Sequence, residues 1–264
     1  MKFDNTVVVF KSNNTKHLSV IQEDQTFVTQ NGTIKHNDIK TLPTKVKTSK
    51  DQEYEVYIPS FDEFILLMKR GPQIIYPKDI GSIIISGNIS KFSNILEIGT
   101  GSGALTLYLS LILDKDSNLI TLDENNKNQR RAKKTIERYI SSNHAETKFL
   151  EIEYLNLRLS DFIFDDVSNK VDTVITDIPE PWEFFDNNSV KQNLQWVSYL
   201  PSITQVQKIV TELSNNNFIN INVTETLNRE WIVDNRIVRP KNEMVGHTAV
   251  SYTHLTLPTI PQVE

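Results

Sequence analysis

The chain has 264 residues and no cysteine, with 38% apolar and 23% charged residues. This composition fits one large domain or one medium domain with a small companion, and the missing cysteine excludes disulfides, thiolate zinc sites, iron–sulfur clusters and cysteine nucleophiles. The formal charge of −5 argues against a surface covered in phosphate contacts. No run approaches about 18 apolar residues, and the N-terminus lacks a signal-peptide pattern. We therefore expect a cytoplasmic protein that uses neither a membrane nor a metal.

Residues 1–60 are predicted to form a small β-rich domain without a long helix. Turn-forming residues separate four short β-branched or aromatic segments: TVVVF, HLSVI, TFVTQ and YEVYI. The pair Asn31-Gly32, which follows TFVTQ, is typical of a β-hairpin turn.

Residues 61–249 change to an alternation of helices and strands. Helices are predicted in FDEFILLMK, PKDIGSIIISGNI (from Pro77 to Gly87), SGALTLYLSLIL, NNKNQRRAKKTIERYISSN and SITQVQKIVTELSNN. Strands are predicted in NILEIG, NLITLD, KFLEIEYLNL, VDTVITD and FININ. This alternation is typical of βαβ units and predicts an α/β domain with a doubly wound, mostly parallel sheet.

The most informative segment is a glycine-rich turn between the first strand of this domain and the next helix. Gly99, Gly101 and Gly103 leave the turn without β-carbons, so a ligand can approach the backbone and the free amides of the helix N-terminus. The spacing matches neither G-x-G-x-x-G nor a P-loop. Glu97 would repel a pyrophosphate and suits a ligand with an amino group, such as the methionine part of S-adenosylmethionine. The alternative is a tight strand–helix connection.

A carboxylate follows the second strand of this domain, about 20 residues after the last glycine. Asp123 at this position can accept hydrogen bonds from both ribose hydroxyls of a nucleoside, and Glu124 is its near rival. Together with the glycine turn, this acid predicts a nucleoside cofactor.

The helix after Asp123 carries a basic run. Such a run is either an RNA contact or a solvated helix face. Its members lie within twelve residues: Lys127, Arg130, Arg131, Lys133, Lys134 and Arg138.

A second constellation follows the fourth strand of this domain, in the segment VDTVITDIPEPWEFF. The strand ends at Asp177, and the prolines at 179 and 181 stiffen the next loop, so the carboxylate is held beside the aromatic ring of Trp182. A carboxylate and a ring suit a flat base with an exocyclic amine. The alternative is that Asp177 caps the next helix and Trp182 belongs to the core. Asp161, after the third strand, is either an acceptor for the adenine amine of the cofactor or a turn residue.

Several segments together resemble the tRNA adenine-58 N1-methyltransferases, in particular the single-polypeptide archaeal and bacterial type. They are RGPQIIYPKDIGSIIISGNI, ILEIGTGSGALT, TDIPEPWEFF, REWIVDNRIVRP and MVGHTA, and NGTIKHNDI matches the family's N-terminal β module. The combination is specific, because other class I methyltransferases share the glycine turn and lack Asp-x-Pro-x-Pro-Trp. The resemblance covers roughly residues 25–249.

The resemblance implies a class I methyltransferase domain behind a small N-terminal β domain, with S-adenosylmethionine as donor and tRNA as substrate, usually in a homotetramer. It implies that Asp177 is the catalytic aspartate. It implies that Gly99, Gly101, Gly103, Asp123 and Asp161 bind the cofactor, and the predicted cofactor site also includes Glu97 and Ser102 of the same segment. It implies a substrate site made of Tyr76, Asp79, Pro179, Trp182, Arg239 and His247, which includes the Q-I-I-Y-x-x-D stretch and the C-terminal motif.

Residues 250–264 depart from the family, which usually ends with an apolar strand after His-Thr-Ala. Here VSYTHLTLPTIPQVE contains two prolines and lacks that alternation. The sequence therefore predicts an atypical, non-native tail that does not continue the fold.

The predicted activity is transfer of a methyl group from S-adenosylmethionine to N1 of adenine 58 in the T-loop of tRNA, with adenine 57 left open. One alternative is a non-catalytic tRNA-binding subunit of a two-component methyltransferase, against which the intact EIGTGSG and DIPEPW argue. Another is a protein methyltransferase of the isoaspartate type, against which the DIPEPW loop and the β module argue. The glycine spacing disfavours a nicotinamide dehydrogenase.

Overall fold

A computed structural model describes residues 2–13, 15–68, 74–143, 150–190, 193–234, 236–243 and 248–256 of the chain. The chain divides into two compact units. The first comprises Met1–Ile74 and Lys133–Thr147, and the second comprises Ile75–Ala132 and Lys148–Glu264.

The first unit is built on an antiparallel sheet with the strand order β2-β1-β6-β5. A separate hairpin, β3–β4, forms where it was predicted, but its turn is Gln30-Asn31, because Gly32, with a φ of +105°, already pairs with Thr29. Buried Val8, Phe10, Ile34 and Val56 belong to its apolar core. Its elements are β1 (Val7–Ser12), β2 (Thr15–Val20), β3 (Thr26–Thr29), β4 (Gly32–Lys35), β5 (Thr44–Lys47), β6 (Glu53–Tyr57) and α1 (Phe61–Leu67).

The second unit is built on a seven-stranded sheet with flanking helices. Its strands are β7 (Ile95–Ile98), β8 (Leu119–Leu122), β9 (Ile152–Leu155), β10 (Thr173–Thr176), β11 (Gln195–Leu200), β12 (Phe218–Thr224) and β15 (Val250–Thr256), and β13 (Trp231–Asp234) and β14 (Ile237–Pro240) form a separate hairpin. Its helices are α2 (Pro77–Ser86), α3 (Ala104–Ile112), α5 (Phe184–Asn187), α6 (Ile203–Asn215) and the first part of α4 (Asn126–Asn143).

The sheet order is β12-β15-β11-β10-β7-β8-β9, and β7 to β11 are parallel. The order reverses at β7, because β8 lies on one side of it and β10 on the other. In doubly wound sheets ligands bind at such a reversal, outside the carboxyl ends of the strands. The predicted fold class is confirmed, and the reversal places the segments after β7, β8 and β10 at one edge.

The two faces of this sheet are covered differently. Leu96, Val174 and Trp196 point to an apolar core that α6 completes with Val206 and Ile209. The alternate residues point to the opposite face, where side chains of α2 and α3 form hydrogen bonds with strand residues. No helix within the described ranges has the length and apolar character needed to cross a bilayer.

Two strands of the sheet were not predicted. β11 is buried at five of its six positions, so its sequence QWVSYL has no polar alternation that would mark a strand. For residues 250–264 the prediction of a tail outside the fold is wrong over Val250–Thr256, which form β15 between β11 and β12 and pair antiparallel with both. Backbone hydrogen bonds on both edges hold such an interior strand, so side-chain alternation is not required.

Candidate active site

The glycine turn connects β7 to α3 in backbone conformations that favour glycine. Gly99, Gly101 and Gly103 have φ values of +105°, +50° and +80°. A β-carbon on Gly99 would lie 2.4 Å from the carbonyl oxygen of Asp177. The turn is therefore a cradle without side chains, and Gly99 allows the segment after β10 to lie directly against it.

Asp123, at the end of β8, holds the glycine turn from the neighbouring strand. Its Oδ2 accepts a hydrogen bond from the Gly101 amide at 2.9 Å, and its Oδ1 accepts one from the Asn125 amide at 2.7 Å. Each carboxylate oxygen has two lone pairs, so both oxygens keep acceptor capacity toward a ligand. The near rival, Glu124, is exposed.

Glu97 is buried in β7, below the turn. Its Oε2 accepts hydrogen bonds from the hydroxyls of Thr106 at 2.6 Å and Thr121 at 2.7 Å. Burial, followed by the charges of Asp177 and Asp123, raises the pKa of Glu97 to about 8, although both threonine hydroxyls oppose the shift. This carboxyl group therefore holds a proton at neutral pH unless a cation approaches it.

Polar residues that the sequence analysis did not identify extend this network. Thr100 and Thr121 share a hydrogen bond of 2.7 Å between their hydroxyls, and Gln129 in α4 donates to the Leu155 carbonyl at 3.0 Å. Thr100, Thr121 and Gln129 are buried. No local signal in the sequence marks these three residues, because their hydrogen bonds join separate elements of the fold.

Asp177 follows β10 at the same edge of the sheet. Its amide donates to the Ile98 carbonyl at 2.9 Å, and its carboxylate accepts no hydrogen bond from the described residues. Burial, with a smaller contribution from Asp123, raises the pKa of Asp177 to about 7. The next helical turn begins at Pro181 and is preceded by Glu180, so the alternative that Asp177 caps a helix is wrong.

The loop after Asp177 is anchored to α6. Gln205 donates a hydrogen bond to the carbonyl of Pro179 at 2.8 Å. Trp182 is partly buried against the apolar core, and the ammonium group of Lys208 lies 4.0 Å from its ring centroid. The ring therefore packs against the core, as the alternative interpretation predicts, and it also forms a cation–π contact with Lys208.

The Q-I-I-Y-x-x-D stretch leads into α2. Tyr76 precedes the helix, and its carbonyl accepts hydrogen bonds from the amides of Asp79 and Ile80. The carboxylate of Asp79 is buried and accepts hydrogen bonds from Lys78, Tyr199 and Thr248. Asp79 is thus engaged by the protein itself.

Other predicted site residues lie apart from the carboxylates or outside the described structure. Asp161 is exposed at the end of a 3-10 turn, where the Ser160 hydroxyl donates to it at 3.2 Å. Arg239 is exposed on β14 and donates to Asn242 at 3.2 Å. Neither residue forms a hydrogen bond or ion pair with Glu97, Asp123 or Asp177. Ser102 accepts a weak 3.4 Å hydrogen bond from the Ala104 amide within the glycine turn, and His247 lies outside the described residues.

The site has a cradle for a nucleoside and an excess of negative charge. Glu97, Asp123 and Asp177 interact electrostatically with one another, and none of them forms an ion pair with a described residue. Two of these three carboxyls have pKa values that are raised by burial and by mutual repulsion, so a cationic ligand is favoured over a pyrophosphate. The residues present therefore fit a ligand with a ribose, a sulfonium and an ammonium group.

Comparison with known proteins covers most of the chain. The family model described as the tRNA methyltransferase complex GCD14 subunit matches residues 56–254. The tRNA (adenine(57)-N(1)/adenine(58)-N(1))-methyltransferase TrmI of Methanocaldococcus jannaschii is 30% identical over 253 residues, which are 89% of this chain and 88% of that protein. The tRNA (adenine(58)-N(1))-methyltransferase TrmI of Thermus thermophilus is 28% identical over 206 residues, 77% of each chain.

Solved structures agree with this match. The tRNA (m1A58) methyltransferase TrmI from Aquifex aeolicus has a TM-score of 0.78 and 26% identity, with 97% of this chain and 98% of that chain covered. A SAM-dependent O-methyltransferase from Thermotoga maritima has a TM-score of 0.83 and 23% identity, with 97% and 94% covered. Because the identity to the Thermotoga maritima protein is only 23%, this similarity supports the fold alone.

Proposed function

The chain belongs to the tRNA methyltransferase family that the GCD14 model describes, and we propose that it transfers a methyl group from S-adenosylmethionine to N1 of adenine 58 in tRNA. The observation that carries the proposal is the glycine turn with Glu97 and Asp123 beside it, since neither carboxyl group forms an ion pair with a described residue. A cationic donor supplies the missing charge.

S-adenosylmethionine, when bound, supplies an electrophilic methyl group on a sulfonium. In our proposal Gly99, Gly101 and Gly103 give its nucleoside and methionine parts access to the backbone, with Ser102 between them. Asp123 accepts hydrogen bonds from the ribose hydroxyls while it holds the Gly101 amide.

Glu97 supports the same site from below. Its buried carboxyl group faces the turn through Thr106 and Thr121, and it offers a negative charge to the amino group of the donor. Since a nearby cation favours the ionised carboxylate, binding of the donor lowers the pKa of Glu97 from about 8.

Asp177 acts on the acceptor base. N1 of adenine carries a free lone pair, so the reaction needs no general base, and catalysis comes from positioning N1 in line with the methyl group. The carboxylate of Asp177 accepts a hydrogen bond from the exocyclic amine and stabilises the positive charge that forms on the ring. Its lack of an intramolecular hydrogen-bond donor in the described structure supports this role.

The tRNA substrate accounts for the basic face of α4. Lys127, Arg130, Lys134 and Arg138 follow a spacing of three and four residues, are exposed, and form no ion pair with a described residue. By contrast, Lys45 and Lys47 in the first unit pair with carboxylates. We propose that this α4 face contacts phosphates of the tRNA, whose stacked target base must be extruded into the site.

A salt titration tests the α4 face. Changing Lys134 and Arg138 to Glu should weaken tRNA binding and reduce the slope of log affinity against log salt by about 0.7–0.9 for each phosphate that the variant no longer neutralises. Changing Lys45 and Lys47 to Glu is the matched control, because both lysines are already neutralised by carboxylates. Equal slopes for the α4 variant and the parent would show that this face is only a solvated helix surface and does not contact the tRNA phosphates.

We also propose a cytoplasmic homotetramer. The family resemblance supports the assembly, and a tRNA substrate supports the compartment. The exposed apolar residues Ile219, Ile221 and Val223 of the edge strand β12 offer a surface for self-association. Sedimentation equilibrium at micromolar concentration gives the mass directly, and a monomer would contradict the assembly.

The decisive experiment is methylation of bulk tRNA with isotope-labelled S-adenosylmethionine, followed by mass spectrometry of the nucleosides. Labelled 1-methyladenosine is expected. tRNA transcripts that carry adenine at position 57 only, or at position 58 only, then distinguish the two positions, on which the named relatives differ. Labelled protein without labelled tRNA would favour a protein methyltransferase, and binding of tRNA without any methylation would favour a non-catalytic subunit.

A further inference from the structure

A buried polar cluster joins three segments of the second unit. We name it the Asp79 cluster, and it consists of Lys78, Asp79, Tyr199 and Thr248. The Oδ1 of Asp79 accepts from the Lys78 ammonium at 2.6 Å, and its Oδ2 accepts from the Tyr199 hydroxyl at 2.9 Å and the Thr248 hydroxyl at 2.7 Å. Lys78 also donates to the Thr248 hydroxyl at 2.7 Å and to the Thr226 carbonyl at 2.8 Å.

The cluster is costly to build. The side chains of Lys78 and Asp79 expose only 12% and 2% of their surface, so both charges have been taken out of water. A buried ion pair contributes little net stability after desolvation, and its best-attested use is to specify one geometry. The geometry specified here is the position of Tyr199 and Thr248 relative to the start of α2.

Tyr199 extends this geometry to the edge of the sheet where Asp177 lies. The parallel register pairs Thr176, the last residue of β10, with Ser198 of β11, so Asp177 and Tyr199 are the residues that directly follow this pair. The two groups also interact electrostatically, and burial and the charge of Asp79 raise the pKa of Tyr199, which keeps the phenol neutral.

We propose that Asp79 is a positioning residue for the methyl transfer proposed above: it fixes the ring of Tyr199 beside Asp177 as one wall of the pocket for the acceptor adenine. The phenolic hydrogen is committed to Asp79, so rotation of the ring is restricted. A fixed aromatic face next to a carboxylate that accepts from an amine suits a flat base. This assigns Asp79 a role through Tyr199 and not through direct contact with the substrate.

The test is a double-mutant cycle of Asp79→Asn and Tyr199→Phe, measured by single-turnover methylation of tRNA at saturating S-adenosylmethionine. Each single variant should lower the rate about tenfold or more, since small misplacements near reacting groups cost that much. The rate of the double variant should lie within about twofold of the rate of the slower single variant, because both changes remove the same hydrogen bond. The affinity for S-adenosylmethionine should stay within about twofold of the parent.

Asp62→Asn is the matched control, because Asp62 lies in the first turn of α1, is exposed, and belongs to the other unit. Parental rates in Asp79→Asn, or rate losses that multiply in the double variant, would overturn the inference while the proposed function stands. If Asp79→Asn does not fold, Tyr199→Phe alone decides, and a parental rate in that variant overturns the inference. A parent chain that does not methylate tRNA overturns both the inference and the function.

Discussion

Replacement of Asp177 by Asn tests the proposed chemistry most directly. The change removes the charge and keeps the size, and the amide can still present a carbonyl oxygen to the adenine amine. Loss of one preorganised electrostatic stabiliser typically costs about 10²–10³ in turnover. Asp177→Ala removes orientation as well as charge and should be slower still.

The structure also gives the expected pH dependence. In the free protein the pKa of Asp177 is raised to about 7, so about half of the carboxyls are ionised at pH 7 and about a tenth at pH 6. The pH profile of kcat/KM reports ionisations of the free enzyme. For the parent, kcat/KM should rise about fivefold between pH 6 and pH 7, rise about twofold more by pH 8, and then level off. The Asn variant has no group to titrate at this position, so that inflection should disappear.

Single-turnover methylation of tRNA, with donor affinity measured separately by calorimetry, distinguishes these effects. Donor affinity should change little in Asp177→Asn, because the carboxylate acts on the base. Asp166→Asn, at an exposed carboxylate, is the control. A parental rate in Asp177→Asn, an unchanged inflection near pH 7, or a defect confined to donor binding would each refute the assigned role.

Three further predictions concern the cofactor side of the site. Gly99→Ala should lower the free energy of unfolding by about 1–3 kcal/mol and weaken donor binding at least about tenfold in calorimetry, because its β-carbon meets the Asp177 carbonyl at a φ of +105°; parental affinity would contradict this. Asp123→Ala should weaken donor binding by about 1–3 kcal/mol while Glu124→Ala leaves it unchanged, and the reverse result would transfer the role to Glu124. The pKa of Glu97 is about 8 in the folded protein, against an ordinary value of 4.5, so the folded state becomes less stable as the pH rises from 4.5 to 8. Glu97→Gln should therefore show a smaller decrease of Tm over that interval than the parent. Equal decreases of Tm would show that Glu97 does not titrate there.

The sequence predicted the parts of the site that depend on local backbone chemistry. The turn of Gly99, Gly101 and Gly103 was readable because three alternate positions between a strand and a helix have positive φ, a conformation that glycine adopts most readily. The helix α2 begins at Pro77 and ends before Gly87, as predicted. Proline suits the first helical position because the amide hydrogen that it lacks would be unpaired there, and glycine is common where a helix ends.

Non-local packing was not readable in the same way. Nothing near Thr100, Thr121 or Gln129 in the sequence indicates that they meet under the turn, because the hydrogen bonds join residues more than twenty positions apart or in separate elements. The same holds for Asp79, whose partners Tyr199 and Thr248 are 120 and 169 residues away. Such contacts depend on strand order, which the sequence pattern restricts and does not specify.

The position of β15 has a consequence for how the protein is made. The ribosome completes β11 and β12 before it synthesises Val250–Thr256, yet those two strands have no other shared partner in the sheet. Until β15 arrives, β11 presents an unpaired edge and β12 is separated from the rest of the sheet, and exposed edges of this kind promote aggregation. Truncated translation products that stop before Val250 should therefore depend on chaperones, whereas chains that include β15 can close the sheet.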